Sequence, residues 1–122
     1  EGRAIPYRKR AGGLVWFDFQ VLCGGARSYA DYVELAQRFH TVMLSAVPKM
    51  STKNADAARR FTWLVDVFYD DRVKLIVSAE AGPEQLFVAG DNSAEFQRTA
   101  SRLYEMQSAQ YLAAERRRAQ VQ

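Results

Sequence analysis

The side chains of this sequence that could act on a ligand are few and scattered: Ser45, Ser78, His40, Cys23, Glu80, Arg98 and Arg102. Two serines and a histidine invite a hydrolase reading, but neither serine sits in a G-x-S-x-G elbow, the strained turn that exposes a nucleophile. A hydroxyl capping nearby backbone at a strand end is the expectation for both. His40 has no second His or Cys near it in sequence, so it is expected to be a satisfied histidine at a helix end and no metal ligand. Cys23, the single cysteine, follows the apolar run FDFQVL and is expected to be a small buried hydrophobe. Glu80 follows the carboxyl end of an apolar run, where open α/β sheets place ligand contacts, although a turn-forming or N-capping carboxylate is the more common explanation.

Arg98 and Arg102 lie one helical turn apart, with Ser101 and Glu105 nearby on an outward face. Guanidinium groups presented in this way can grip a phosphate or carboxylate with paired N–H donors. The alternative is a solvated face with an Arg102–Glu105 pair worth a few tenths of a kcal/mol. No stretch matches G-x-x-x-x-G-K-[ST], whose backbone amides cradle phosphates, and Gly12-Gly13 and Gly24-Gly25 read as turns. The run Thr41–Val47 ends in Ser45-Ala46-Val47-Pro48 and not in paired acids that could hold magnesium. No catalytic residue is therefore assigned.

The elements that must position these groups follow from periodicity. Residues 3–9 and 14–18 read as two strands of an antiparallel hairpin turning through Arg10–Gly13. Asp18 is placed to cap a short helix ending at Gly24-Gly25. Ser28 starts a second helix with Asp31 in a capping-box position. Thr41–Val47 reads as a buried strand stopped by Pro48. A helix from about Asp56 to Asp70 carries Phe61, Leu64, Val65 and Phe68 at helical spacing, opposite Arg59, Thr62, Asp66 and Asp70. Val73–Ala79 reads as a second buried strand. Strand, helix and strand predict a crossover with a parallel pair. After the Gly82-Pro83 turn, a short helix and a loop at Gly90–Asn92, a long helix is expected over 93–119, packing through Phe96, Ala100, Leu103 and Met106. The expected class is α/β, or α+β, with residues 1–122 forming a single domain.

Its composition is that of an ordinary soluble domain, with 48% hydrophobic and 25% charged residues. No apolar run approaches the ~18 residues of a membrane span, and no signal-peptide pattern is present. The formal charge of +3 is concentrated at the ends, in Arg3, Arg8, Lys9 and Arg10 and again in Arg116–Arg118, while the middle is slightly acidic. Cations at a helix C-terminus complement its dipole, so nucleic-acid binding is not expected. A first residue that is not Met suggests part of a longer polypeptide.

The ordered segments WFDFQVLC, ARSYADYVELAQRFHTVMLSAVP, ARRFTWLVDVFYDDRVKLIVSAE and EFQRTASRLYEMQSAQYL resemble the C-terminal region of the ZapE-type, Afg-like AAA+ ATPases, from Gly2 to about Leu112. The resemblance implies a bacterial, cytoplasmic ATPase linked to cell division near the FtsZ ring; mitochondrial relatives serve protein quality control at the inner membrane. It implies that the phosphate loop, magnesium-binding acids, sensor asparagine and arginine finger lie upstream of this segment. ATP and magnesium are thus implied for the full-length protein and no cofactor for this segment. Its implied partners are the upstream ATPase domain, further copies in a homo-oligomer and an FtsZ-like division protein.

Within that family, Thr41–Phe87 resembles a degenerate copy of the core's own strand–helix–strand unit. Ser45–Pro48 would stand where the metal-binding acids were, and Ser78–Glu80 where the sensor triplet was. Trp63 and Val67 depart from the smaller or acidic residues of the family and widen the apolar stripe of their helix. They mark either a contact with another domain or subunit, or an enlarged internal core. Arg98 and Arg102 are the candidates for contact with the core, a neighbouring subunit or nucleotide. The alternative function is an autonomous interaction module that needs no nucleotide.

Overall fold

The structure, a computed structural model, describes residues 5–87 and 94–114. Strands β1 (Lys9–Ala11) and β2 (Leu14–Asp18) form the expected hairpin, turning on Gly12 at φ +59°, a left-handed conformation that suits glycine. The first strand is shorter than expected: Ile5, Pro6 and Tyr7 are outside it, and Pro6 has no N–H to give a ladder. Gly13 meets a different demand. A Cβ there would lie 2.3 Å from the His40 ring, so the hairpin and the entry to the third strand approach too closely for a side chain.

Helix α1 (Phe19–Cys23) follows β2 directly, and α2 (Tyr29–Arg38) follows the expected box, with Asp31 Oδ2 accepting the Ser28 N–H at 2.8 Å. Strand β3 (Thr41–Val47), helix α3 (Ala55–Asp71) and strand β4 (Lys74–Ala79) reproduce the predicted crossover. The sheet order is β1-β2-β3-β4, with β3 parallel to both β2 and β4. Parallel neighbours at β3 and β4 are what the degenerate-repeat reading requires. The sheet also holds a crossover that the sequence reading missed. Strand β2 is at once the return strand of the hairpin and the first strand of a β2–α1–α2–β3 unit.

Three expectations need correction. Strand β4 is not buried; it is an edge strand, and Ile76 at its middle is 52% exposed. Asp18 occupies the N-cap position of α1, but its carboxylate does not cap; it is engaged across the sheet instead. The final helix is not continuous. It divides into α4 (Ala94–Glu105) and α5 (Ala109–Ala113), because Ser108 Oγ accepts the Tyr111 N–H at 3.1 Å and starts a new helix. The loop expected at Gly90–Asn92 and the arginines 116–118 lie outside the described residues.

The core fills one face of the sheet. Val15, Phe17, Val42 and Leu44 point into it and meet Phe61, Leu64, Val65 and Phe68 of α3, all essentially without solvent contact. Helix α3 is the hub, touching α1, α2 and α4. Phe19 packs on Phe61 with centroids 5.9 Å apart, and Phe96 stacks on Phe87 at 4.5 Å. Such aromatic pairs fix the helices' positions as well as burying area.

Candidate functional site

Two polar clusters sit on this frame. The first joins α3 to α4. Asp66, on the polar stripe of α3, accepts Arg102 through Oδ1 and faces Arg98 Nη2 through Oδ2 at 3.6 Å. The carboxylate is 19% exposed, Arg102 25% and Arg98 48%, so the inner pair is largely shielded while Arg98 keeps donors toward solvent. Tyr69, one turn beyond Asp66, receives the Arg102 guanidinium over its ring at 4.8 Å. Its hydroxyl donates to Glu105 at 2.7 Å, and this hydrogen bond raises the phenol's pKa.

Tyr69 also stacks on Tyr111 at 6.0 Å, and Arg72 lies over both rings. The Tyr111 hydroxyl lies 2.9 Å from the Phe68 carbonyl and 2.6 Å from the Val73 carbonyl, so its proton serves the junction between α3 and β4. Arg72 itself adopts a left-handed conformation at φ 62°, ending α3 where glycine is usual. Its guanidinium offsets part of that cost by donating to the Tyr69 carbonyl at 2.9 Å.

The two sequence-nominated arginines are therefore brought together, but toward α3 rather than on a solvated face. Arg102 does not pair with Glu105, which is committed to Tyr69. Asp66 is the residue that sequence reasoning missed. Its place on the polar stripe of α3 was visible; that it would meet α4 was not.

The second cluster lies at the carboxyl ends of β2 and β3. Ser45 Oγ accepts the Trp16 indole N–H at 3.0 Å and donates to Asp18 Oδ1 at 2.7 Å. Arg8 donates to Asp18 Oδ2 at 3.1 Å, and its guanidinium lies 4.7 Å from the centre of the Trp16 ring. The Ser45 hydrogen bond is the main cause holding the Asp18 carboxyl below its ordinary pKa, with Arg8 adding to it. Next to this group the ladder bulges between Leu44 and Val47, and Ala46 takes φ 63°. Ser45 is thus tied into a hydrogen-bonded network. No histidine activates it: His40 lies just before β3, roughly 16 Å back along the strand, with Nδ1 2.7 Å from Thr41 Oγ1.

The other candidates lie in different surroundings. Glu80 Oε1 accepts the Lys49 N–H at 3.0 Å, bracing the turn after Pro48. Ser78 is exposed on the edge strand. Cys23 is fully buried and its thiol is pushed up to about 12, so it stays protonated and inert. Val67 is 2% exposed and belongs to the core, whereas Trp63 is half-buried and packs edge-on against the exposed ring of Tyr29 at 6.5 Å. Of that pair only Trp63 reaches the surface. Among the described residues no group of three or more His, Cys, Asp or Glu could hold a metal ion, and no helix is long and apolar enough to cross a membrane.

A four-stranded sheet, antiparallel at β1–β2 and parallel from β2 to β4, with helices packed against it, defines a protein of the mixed α/β class. The model of the AFG1-like ATPase family matches residues 1–115, and this chain belongs to that family, the Afg1/ZapE-type AAA+ ATPases. Among curated proteins it is 50% identical over 94 residues to cell division protein ZapE of Escherichia coli K12, covering 77% of this chain and 25% of ZapE. An uncharacterized protein of Schizosaccharomyces pombe is 40% identical over 86 residues, covering 70% of this chain and 19% of that protein. Lactation elevated protein 1 homolog B of Danio rerio is 32% identical over 143 aligned positions, covering 91% of this chain and 28% of the relative. The chain spans about a quarter of the length of the curated relatives it matches. No solved structure matches it.

Proposed function

We propose that this chain is the non-catalytic C-terminal domain of a longer AAA+ ATPase, packed on the ATPase core, supporting ATP-driven assembly and contact with a client protein. The observation that carries the reading is a family match over residues 1–115 in a chain whose own sequence has no phosphate-binding loop. The full-length protein is expected to bind ATP with magnesium, to hydrolyse it and to form a homo-oligomer. The name of the Escherichia coli relative, a cell division protein, supports a role in division of a bacterial cell; a cytoplasmic location and an FtsZ-like client are what the family resemblance adds to this proposal.

Within this reading Arg98 is the group best placed to touch the core, a neighbouring subunit or nucleotide, since its guanidinium is about half exposed and only loosely held by Asp66. Arg102 positions the helix that presents it. Trp63, with Tyr29, is the candidate for a second, apolar contact. Arg98→Ala in the full-length protein is expected to lower ATP turnover or oligomer formation several-fold while leaving the unfolding midpoint within about 0.5 kcal/mol of the parent, as for a surface change. Parental turnover and assembly in that variant would remove Arg98 from the proposal.

A continuous core that joins β2, β3 and all five helices favours a second reading, an autonomous interaction module. The two part on one measurement: client capture by the full-length protein that is identical with ATP, with ADP and without nucleotide would favour the module.

A further inference from the structure

The two faces of the sheet are not treated alike. Strand register places Lys9, Trp16, Met43 and Ile76 in one row across all four strands, on the face opposite the core. Leu14, Thr41 and Lys74 form the next row on that face. Trp16, Met43 and Leu14 are only half-buried and Ile76 is more than half exposed, while their neighbours Val15, Phe17, Val42 and Leu44 are sealed under α3. Parallel strands are ordinarily covered on both faces, because their apolar runs leave no solvated side. Here three parallel strands carry an apolar row that the described helices leave open.

The charges around the row are one-sided. Asp18 is the acid on this face, and Arg8 and Ser45 already engage it. Lys9 and Lys74 have no ion pair among the described residues. A surface that fits is therefore apolar at its centre and acidic at its margin. The ZapE relative carries about three-quarters of its length outside the stretch matched here, which is ample chain to supply such a surface.

We infer that the Trp16–Met43–Ile76 face is the docking surface for the rest of the ATPase polypeptide, through an apolar surface flanked by acids. The inference rests on the proposed C-terminal-domain reading and adds the place of contact. Burial of Ile76 and the row beside it then anchors this domain to the part of the protein that binds nucleotide. Both faces of the parallel strands are thereby covered.

The test is alkylation of Ile76→Cys by N-ethylmaleimide, in the 122-residue chain and in the full-length protein, read at position 76 by peptide mass spectrometry. The native Cys23 is buried and does not compete. Arg59→Cys, on the exposed side of α3, serves as the reference. Position 76 is expected to react at least ten-fold more slowly in the full-length protein, at every protein concentration, with position 59 unchanged. Equal rates at position 76 overturn the inference. So does a slow rate that recovers on dilution, which would assign the face to a second copy. Hydroxyl-radical oxidation of native Trp16 and Met43 gives the same comparison without substitution, should the cysteine variant fail to fold. ATP turnover of the same samples separates the two claims. Turnover with an open position 76 removes the docking surface and keeps the ATPase reading; protection without turnover keeps the surface and removes the ATPase reading.

Discussion

Asp66 decides what the arginines of α4 can do. A carboxylate placed between two guanidinium groups fixes one and leaves the other partly free, and the difference in exposure between Arg102 and Arg98 records that division. The inner pair is shielded and charge-assisted, so it is worth more than an exposed salt bridge, although solvent at both partners limits it. A double-mutant cycle with Asp66→Ala and Arg102→Ala, read by urea unfolding, is expected to give a coupling energy of about 1 kcal/mol. A coupling near zero would mean that the cation over Tyr69, and not the ion pair, holds α4. The helical spacing of Arg98 and Arg102 was readable in the sequence because it is local. Their shared partner was not, since Asp66 is 36 residues from Arg102 and only packing chooses which polar residue of α3 faces α4.

At the scale of elements, the break between α4 and α5 matters most. Continuous helical periodicity through Met106 predicted one long helix, and propensity gives no reason to stop at Gln107. Tertiary structure stops it, because Tyr111 reaches the buried carbonyls of Phe68 and Val73 only if the chain turns. The Phe68 carbonyl already accepts the Val73 N–H at 3.0 Å, so the Tyr111 hydroxyl adds a second tie between α5 and the α3–β4 junction. Ser108→Ala removes the cap and is expected to destabilise the chain by about 1 kcal/mol in urea unfolding. An unchanged midpoint would show that Tyr111 alone holds α5. The sequence also suggested that β4 was buried, since VKLIVSA is mostly apolar. Apolar runs mark parallel strands, but they do not say whether a strand lies inside the sheet or at its edge.

For the molecule as a whole, the buried acids that matter titrate on the alkaline side. Burial raises the Cys23 thiol to about 12 and raises the phenols of Tyr32 and Tyr111, all by desolvation of the charged form. In the unfolded chain the thiol ionises near about 8.5. Their stabilising contribution is then complete below that pH and is lost as pH climbs toward the folded values. Unfolding free energy is expected to fall by roughly 1 kcal/mol per pH unit between about pH 9 and 10, where the thiol dominates. Comparing urea midpoints across that range with those of Cys23→Ala checks it: the substituted chain should show a flatter slope, and an equal slope would assign the alkaline loss elsewhere.

The sequence by itself determined the family, the hairpin turn, the capped α2, the strand β3 and the amphipathic helix α3, because each is written in motifs or periodicities a few residues long. It also determined that Arg98 and Arg102 share a helix face and that this chain carries no phosphate loop. Tertiary structure decided the partners: Asp66 for those arginines, Ser45 and Arg8 for Asp18, and the α3–β4 junction for Tyr111. It also decided that β2 pairs with β3 in parallel and that the Trp16–Met43–Ile76 row stays open. The physical reason is the same throughout. Local periodicity says which side of an element is apolar, but only the packing of distant elements says what that side, and its polar neighbours, will meet.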